Sequence, residues 1–248
     1  MKKVLLITGA SRGIGAATAL LAARAGYAVG IGYRHNREAA DALVTAILRA
    51  GGEATAVQAD VAVEREVVHL FATVEIALGP ITALVNSAGI LEHQARVEAL
   101  DAARIQRIFA TNVTGSFICC REAVRRLSTR HGGTGGAIVN LSSRAARLGS
   151  PGEYVDYAAS KAAIDTLTIG LAKEVAAEGI RVNAVAPGII DTEIHASGGE
   201  PGRLERLKGS IPMQRGGTAE EVARAILWLL SDEASYVTGT ILDVAGGR

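Results

Sequence analysis

The sequence predicts a single doubly wound α/β domain over residues 1–248, with a seven-stranded parallel sheet flanked by helices on both faces. Two observations predict it. Seven short, unbroken apolar runs rich in β-branched residues alternate with longer, alanine-rich stretches at helical spacing, the pattern of strands buried on both faces and joined by crossover helices. The connections are short and rich in glycine, with 29 Gly against 5 Pro, and neither a repeat nor a Pro/Ser-rich linker divides the chain.

The elements follow in order. Strands are expected at 4–8, 28–33, 54–58, 83–86, 137–141, 181–186 and 241–244, and helices at 14–25, 37–49, 64–78, 103–127, 157–177 and 219–230. Only nine aromatics (3 Phe, 5 Tyr, 1 Trp) fit thin, Ala-rich helices packed closely on the sheet. Residues 191–212 interrupt the rhythm as a polar insertion holding Gly198, Gly199, Pro201 and Gly202. That composition suits a substrate lid over the strand ends, or a plain surface loop.

Composition also excludes partners. With 26 basic and 25 acidic residues the net charge is +1, which offers no bulk field for nucleic acid or an anionic membrane. Apolar residues make up 49% of the chain, too many for disorder, yet no run approaches the ~18 needed to span a bilayer. Lys2-Lys3 and the apolar residues after them resemble a signal peptide only until Thr8-Gly9, far short of a full apolar region. The two cysteines, Cys119 and Cys120, are adjacent and form no disulfide framework, so a cytoplasmic location is expected. No residue is assigned to a metal.

Between the first strand and first helix lies Thr8-Gly-Ala-Ser-Arg-Gly-Ile-Gly15. Its glycines allow a tight turn and close backbone approach, while the helix start offers free N–H groups to a pyrophosphate. The same turn, residues 9–13, spells the G-x-S-x-G elbow of a serine hydrolase, with His131-Gly132-Gly133 as its oxyanion loop. The chain order opposes that reading, because such a loop precedes its nucleophile. At the end of the second strand, Tyr33-Arg34-His35-Asn36-Arg37 contains no acid before Glu38. An acid there binds the ribose 2′-hydroxyl of NAD, whereas Arg accommodates the 2′-phosphate of NADP. Arg34, with Arg12 across from it, therefore points to NADP(H).

The fifth strand ends in Ser142-Ser143, and Tyr157-Ala-Ala-Ser-Lys161 follows. Positions i and i+4 share a helical face. A tyrosine exchanging protons near pH 7 must be lowered by about 3 from its usual 10, which is about 4 kcal/mol. A cation ~4 Å away at an effective dielectric near ~20 supplies about that much.

Together these motifs resemble the short-chain dehydrogenase/reductase family over essentially the full chain. The resemblance rests on the glycine turn, Asp60-Val61, Asn86-Ser-Ala-Gly89, Asn112-Val-Thr-Gly115, Ser143, Tyr157-Ala-Ala-Ser-Lys161 and Pro187-Gly188. It implies hydride transfer between NADP(H) and a small carbonyl or secondary alcohol, with Tyr157, Lys161, Ser143 and Asn112 as catalytic residues. Gly9, Ser11, Arg12, Gly13, Ile14, Gly15, Arg34 and His35 would hold the cofactor's phosphates and ribose. Asp60 and Val61 would meet the adenine, Asn86, Ala88 and Gly89 would line the cofactor, and Pro187, Gly188, Ile190 and Thr192 would contact the nicotinamide half. Asn112 would hold a water linking Lys161 to solvent.

Two departures stand out: Ser87 replaces the family's usual Asn, and the Ser143–Tyr157 interval is one residue longer than is common. Ser142 is the alternative hydroxyl and Tyr154 the alternative phenol. The resemblance also implies a homo-oligomer, dimer or tetramer, through helices 103–127 and 157–177 and the segment 236–246, which light scattering would reveal. A non-catalytic NADP(H)-binding sensor or scaffold is the alternative function, since fold alone does not fix activity. Substrate remains open among small polar carbonyls, polyols and a 3-oxoacyl thioester, the last through Arg121, Arg125, Arg126 and Arg130 as a seat for an acidic carrier. His195, in the insertion, is either a substrate contact or simply exposed.

Overall fold

In the computed structural model, which describes residues 2–248 apart from the His195 side chain, the apolar runs become the strands of one sheet. These are β1 (Lys3–Thr8), β2 (Tyr27–Tyr33), β3 (Ala54–Gln58), β4 (Ala83–Asn86), β5 (Gly136–Leu141) and β6 (Ile180–Pro187). Beyond them, β7 (Ile190–Asp191) pairs with β8 (Gly217–Thr218) in a separate two-stranded piece, and β9 (Ile241–Val244) returns to the main sheet. The seven-stranded order is β3-β2-β1-β4-β5-β6-β9, parallel throughout. Order therefore reverses between β1 and β4, the switch point where doubly wound sheets open a crevice at their carboxyl ends.

The unbroken apolar runs are explained by the two cores. Within β1, Val4 and Leu6 enter one cluster while Leu5 and Ile7 enter the other. In β5, Ile138 faces the first cluster, and Ala137 and Val139 face the second. Side chains alternate across a strand, so a sheet covered on both faces requires apolar residues at every position.

The helices are α1 (Gly13–Arg24), α2 (Arg37–Arg49), α3 (Glu64–Leu78), α4 (Ala102–Phe109), α5 (Gly115–Leu127), α6 (Ala145–Leu148) and α7 (Val155–Val175). The remainder are α8 (Ile194–Ser197), α9 (Arg203–Leu207) and α10 (Ala219–Leu230). The first core lies against α3, α5 and α7, and the second against α1, α2 and α10. Helix α10 starts with a full capping box: Thr218 Oγ1 accepts from Glu221 N–H at 3.2 Å, and Thr218 N–H donates to Glu221 Oε2 at 2.8 Å. Both donors would otherwise be orphaned at the helix start.

One expected helix divides. Instead of a continuous helix over 103–127, α4 and α5 are joined by a π-helical turn at Ala110–Thr114. The extra residue in that turn rotates Asn112 inward, where it is 1% exposed, and such turns recur at functional positions. Residues 191–212 are also more ordered than a bare loop, holding β7, α8 and α9. They are pinned to the body where Tyr154 Oη donates to Gly198 O at 3.4 Å and Gln94 Nε2 donates to Glu200 Oε2 at 2.5 Å. Among the described residues no helix is long and apolar enough to cross a membrane.

Candidate active site

At the carboxyl ends of the strands runs a cavity of about 810 Å³, reaching from Arg34 and Asp60 past the glycine turn to Tyr157 and Arg248. Its floor needs the glycines. Gly9 has φ +64°, and a Cβ there would lie 2.6 Å from Ala88 Cα; a Cβ on Gly15 would lie 2.7 Å from Gly9 O. Both contacts are with backbone that cannot yield, so the turn is closed to larger residues. Thr8 Oγ1 accepts from Ser87 N–H and Ala88 N–H, each at 3.2 Å, clamping the end of β1 to the loop after β4. Helix α1 begins after Arg12 with no side-chain cap on its first N–H groups, which leaves those donors for an anion.

Of the expected cofactor residues, Gly9, Ser11, Arg12, Gly13, Ile14, Arg34, His35, Asp60 and Val61 all line this cavity. Ala88, Gly89, Pro187, Gly188, Ile190 and Thr192 line it as well. Gly15, Asn86 and Asn112 do not; they stand behind the wall and shape it. Arg34 places Nε 2.9 Å from Asp60 Oδ2, and Asp60 Oδ1 accepts from Ala62 N–H at 3.0 Å. A guanidinium has five donors, so this pair still leaves Arg34 capacity for a phosphate. Arg37 lies outside the cavity, 3.5 Å from Asp41 in an exposed pair.

Ser143, Tyr157 and Lys161 meet at the other end of the cavity. Strand β5 delivers Ser143, and α7 delivers the other two one turn apart. The members of the two alternative pairs have different partners. Ser143 lines the cavity with Tyr157 and its hydroxyl pulls the phenol's value down, whereas Ser142 Oγ donates to Lys161 O at 3.4 Å. Tyr154 is buried beneath Arg203, whose guanidinium lies 4.8 Å from its ring centroid. Lys161 Nζ donates to Leu141 O at 2.6 Å and lies 5.7 Å from the Tyr157 ring centroid.

The electrostatics differ from the expectation. Burial pushes the Tyr157 phenol above its usual value, against the opposing pull of the Ser143 hydroxyl and Arg203's charge. Lys161 is not among the groups lowering it; burial instead brings Lys161 itself down to about 8, against the nearby Asp165 carboxylate. Asn112 Oδ1 accepts from Ile90 N–H at 2.8 Å, and its Nδ2 donates to Ile90 O and Ser160 Oγ at 3.0 and 3.1 Å. A Cβ on Gly89 would lie 3.5 Å from Asn112 Oδ1 and 3.6 Å from Lys161 Nζ, ordinary contact distances that place this glycine between the two side chains.

Beneath the site runs a buried polar ladder. Asn86 Nδ2 donates to Asn140 Oδ1 at 2.9 Å and to Cys120 Sγ at 3.3 Å, and Asn140 Nδ2 donates to Thr168 Oγ1 at 2.9 Å. Burial holds the Cys120 thiol up at about 12 and raises Cys119 as well, so both are packing residues with no thiolate near neutrality.

The chain matches the family described as enoyl-(acyl carrier protein) reductase over residues 9–248. It is 62% identical over 245 residues to the uncharacterized oxidoreductase YgfF of Escherichia coli, covering 99% of each chain. It is 42% identical over 246 residues to 3beta-hydroxysteroid dehydrogenase 1 of Eggerthella lenta, covering 99% of this chain and 93% of that one. A solved short-chain dehydrogenase/reductase of Serratia marcescens superposes with a TM-score of 0.91 at 33% identity, covering 99% of this chain and 97% of that one. The chain belongs to the short-chain dehydrogenase/reductase family. It is an oxidoreductase, and the doubly wound sheet is that family's fold.

Membership and geometry both oppose the hydrolase alternative. His131, Gly132 and Gly133 precede β5, at the amino edge of the sheet, while Ser11 follows the carboxyl end of β1. In a parallel sheet these are opposite edges.

Sequence reasoning missed two features in and beside this candidate site. Arg104 and Asp156 form a buried pair, with Nε 2.7 Å from Oδ2, and Asp156 Oδ1 also accepts from Tyr157 N–H at 2.9 Å. An acid directly before Tyr157 was the available signal. Arg248 reaches the cavity from beyond β9, and nothing in local sequence announced that.

Proposed function

We propose that the chain is an NADP(H)-dependent carbonyl reductase, running in reverse as an alcohol dehydrogenase, on small polar substrates. The observation that carries this reading is one continuous cavity with Arg12 and Arg34 at one end and Ser143, Tyr157 and Lys161 at the other. The cavity fits a dinucleotide: uncapped helix N–H groups, a glycine turn pressed against Ala88, and Arg34 at the end of β2, one of whose donors is taken by Asp60 from beyond β3. When bound, the nicotinamide supplies or accepts the hydride. Ser143 polarises the carbonyl oxygen by donating to it. Tyr157 Oη gives its proton to the developing alkoxide, and its raised value keeps that proton in place at neutral pH. Lys161, fixed by the Leu141 carbonyl, holds ribose hydroxyls and supplies positive charge near the phenol. Asn112 fixes the Ile90 backbone next to Gly89 and Lys161, and in this reading it would hold the water through which Lys161 is resupplied with a proton.

Charge pairing favours small substrates over an acidic carrier protein. Arg121 meets Glu64 and Glu122, Arg126 meets Glu75 and Glu122, Arg125 meets Glu122 and Arg130 meets Glu178, so four carboxylates balance the four guanidiniums and that face presents no open basic patch. The charged wall around Glu153, Arg203 and Arg248 favours a polar carbonyl over a steroid. Residues 191–212 act as the lid in this reading, and exposed Phe117 on α5 and Ile169 on α7 suit a cytoplasmic dimer or tetramer.

The test is a panel of carbonyl compounds and polyols assayed with NADPH and NADP⁺, comparing wild type with Tyr157→Phe. The variant is expected to lose about 10²–10⁴-fold in turnover while binding NADPH with unchanged affinity. Retained turnover would overturn the assignment of Tyr157.

A further inference from the structure

Two groups beside Lys161 have no task in hydride transfer: Ser142 and Asp165. Asp165 stands one turn beyond Lys161 on α7, and residues four apart share a helical face. Side chains on a helix lean toward its start, so Asp165 leans back toward the turn that carries Lys161. Ser142, just past β5, covers that turn from the sheet side, where its Oγ donates to Lys161 O at 3.4 Å.

Both charges are short of partners. Lys161 is 5% exposed, and its Nζ meets a neutral carbonyl, Leu141 O at 2.6 Å, where a buried ammonium calls for an anion. Asp165 has Oδ1 sealed from water with no hydrogen-bond partner among the described residues. The groups around them are otherwise engaged. From α6, Arg147 faces Asp165, but it is half exposed and places Nη1 3.0 Å from Asp243 Oδ2, and water screens such a charge. From β9, Asp243 adds a like charge, and Arg144 Nη1 lies 2.7 Å from the same oxygen. Tyr157 lies one turn back from Lys161, and Asn112 is bonded to Ile90 and Ser160. Asp165 is thus the carboxylate left for Lys161. Burial raises the Asp165 carboxyl, with Asp243 adding to it, while the Ser142 hydroxyl, Arg147 and Lys161 pull it down. Burial brings Lys161 down to about 8, and the Asp165 charge opposes that fall.

We propose that Asp165 is a positioning residue: its carboxylate, backed by the Ser142 hydroxyl, is the counter-charge that keeps Lys161 an ammonium beside Tyr157. The proposal rests on the reductase reading, and it sets the upper pH limit of that reaction from outside the cavity, which Asp165 does not line. Neutralising Asp165 removes the support, so Lys161 loses its proton at lower pH and reduction fails earlier on the alkaline side. A role confined to packing α7 against Ser142 leaves the Lys161 titration where it is.

The test follows Lys161 itself. Lysine isotope-labelled at its ε carbon gives a magnetic-resonance signal for each of five lysines, and Lys161→Met identifies the one that matters. In Asp165→Asn the ratio of ammonium to amine at Lys161 is expected to fall by about 3- to 10-fold at pH 8, while Asp165→Glu stays near wild type. Melting temperature and NADPH affinity report whether each variant is folded, and Asp165→Ser serves where the amide is not tolerated. An unchanged Lys161 titration in the neutral variants overturns the proposal, as does a fall in Asp165→Glu equal to that in Asp165→Asn. The pH profile of carbonyl reduction with NADPH separates the two readings. An alkaline limb moved to lower pH in Asp165→Asn supports both. A moved Lys161 signal with no carbonyl compound reduced by wild type supports the counter-charge and refutes the reductase reading alone. Reduction by wild type with an unmoved signal in Asp165→Asn refutes the role of Asp165 alone.

Discussion

The two ends of the cavity are built in different ways. The end proposed for the cofactor takes its chemistry from short pieces, a turn at 9–15, a strand end at 33–35 and Asp60 with its neighbour Ala62, clamped together by Thr8 on Ser87 and Ala88 and by Arg34 on Asp60. The end proposed for the substrate depends on side chains far apart in sequence, Arg203 on Glu153 and Arg144 on Arg248 O, with the buried pair of Arg104 and Asp156 holding the Tyr157 N–H from outside the cavity. Local turns carry their chemistry wherever the βα unit folds. Long-range pairs exist only once the whole domain has closed, so the substrate end is the part free to differ between relatives of one fold.

Three changes test that contrast, and the largest effect belongs to the long-range end. Arg104→Ala leaves Asp156 buried without its partner, at a cost of about 3–5 kcal/mol, read as a lowered urea midpoint. A loss below about 1 kcal/mol would mean that local contacts suffice there as well. At the cofactor end, Arg34→Asp is expected to lower kcat/KM with NADPH by about 10- to 100-fold relative to NADH, with little change in folding stability. An unchanged NADPH/NADH ratio would remove Arg34 from the site.

The smallest effect is the pH response of Lys161, beside Tyr157 on α7. Its value is lowered to about 8, so the ammonium is lost as pH rises through that point, well below an ordinary lysine. Reductive kcat should therefore fall above pH 8, by up to about tenfold per unit. A plateau continuing to pH 10 would show that the charge on Lys161 is not needed for turnover.

The same contrast governs how much could be read from the sequence. Each of the seven main strands was legible because a doubly covered strand must be apolar throughout, and the observed bounds differ by only a residue or so at either end. The glycine turn and the shared face of Tyr157 and Lys161 were legible because fixed spacing on one element fixes relative position, whereas the approach of Ser143 to them depends on how β5 and α7 pack. The π-helical turn at Ala110–Thr114 was not, because apolar periodicity does not register one extra residue in a single turn. Strands β7 and β8, two residues each, carry no period at all. Arg104 was expected only as part of a helix, and its partner stands 52 residues away. The lowered tyrosine was inferred from helical spacing alone, whereas the Lys161 ammonium turns to the Leu141 carbonyl.

The ladder of Asn86, Asn140 and Thr168 has a consequence for assembly. Asn86 and Asn140 are direct register partners across β4 and β5, and Thr168 belongs to α7. Slipping β5 by one residue would turn Asn140 onto the apolar face, and slipping it by two would set Asn86 beside Ile138. Either error strands buried amides without partners, a penalty of about 1–3 kcal/mol for each group. Ser143 lies just past β5, and Tyr157 and Lys161 ride on α7, so the same error would also pull those three apart. Misaligned chains are thus disfavoured while they fold, and a chain that has reached its stable state already has its reactive groups in line.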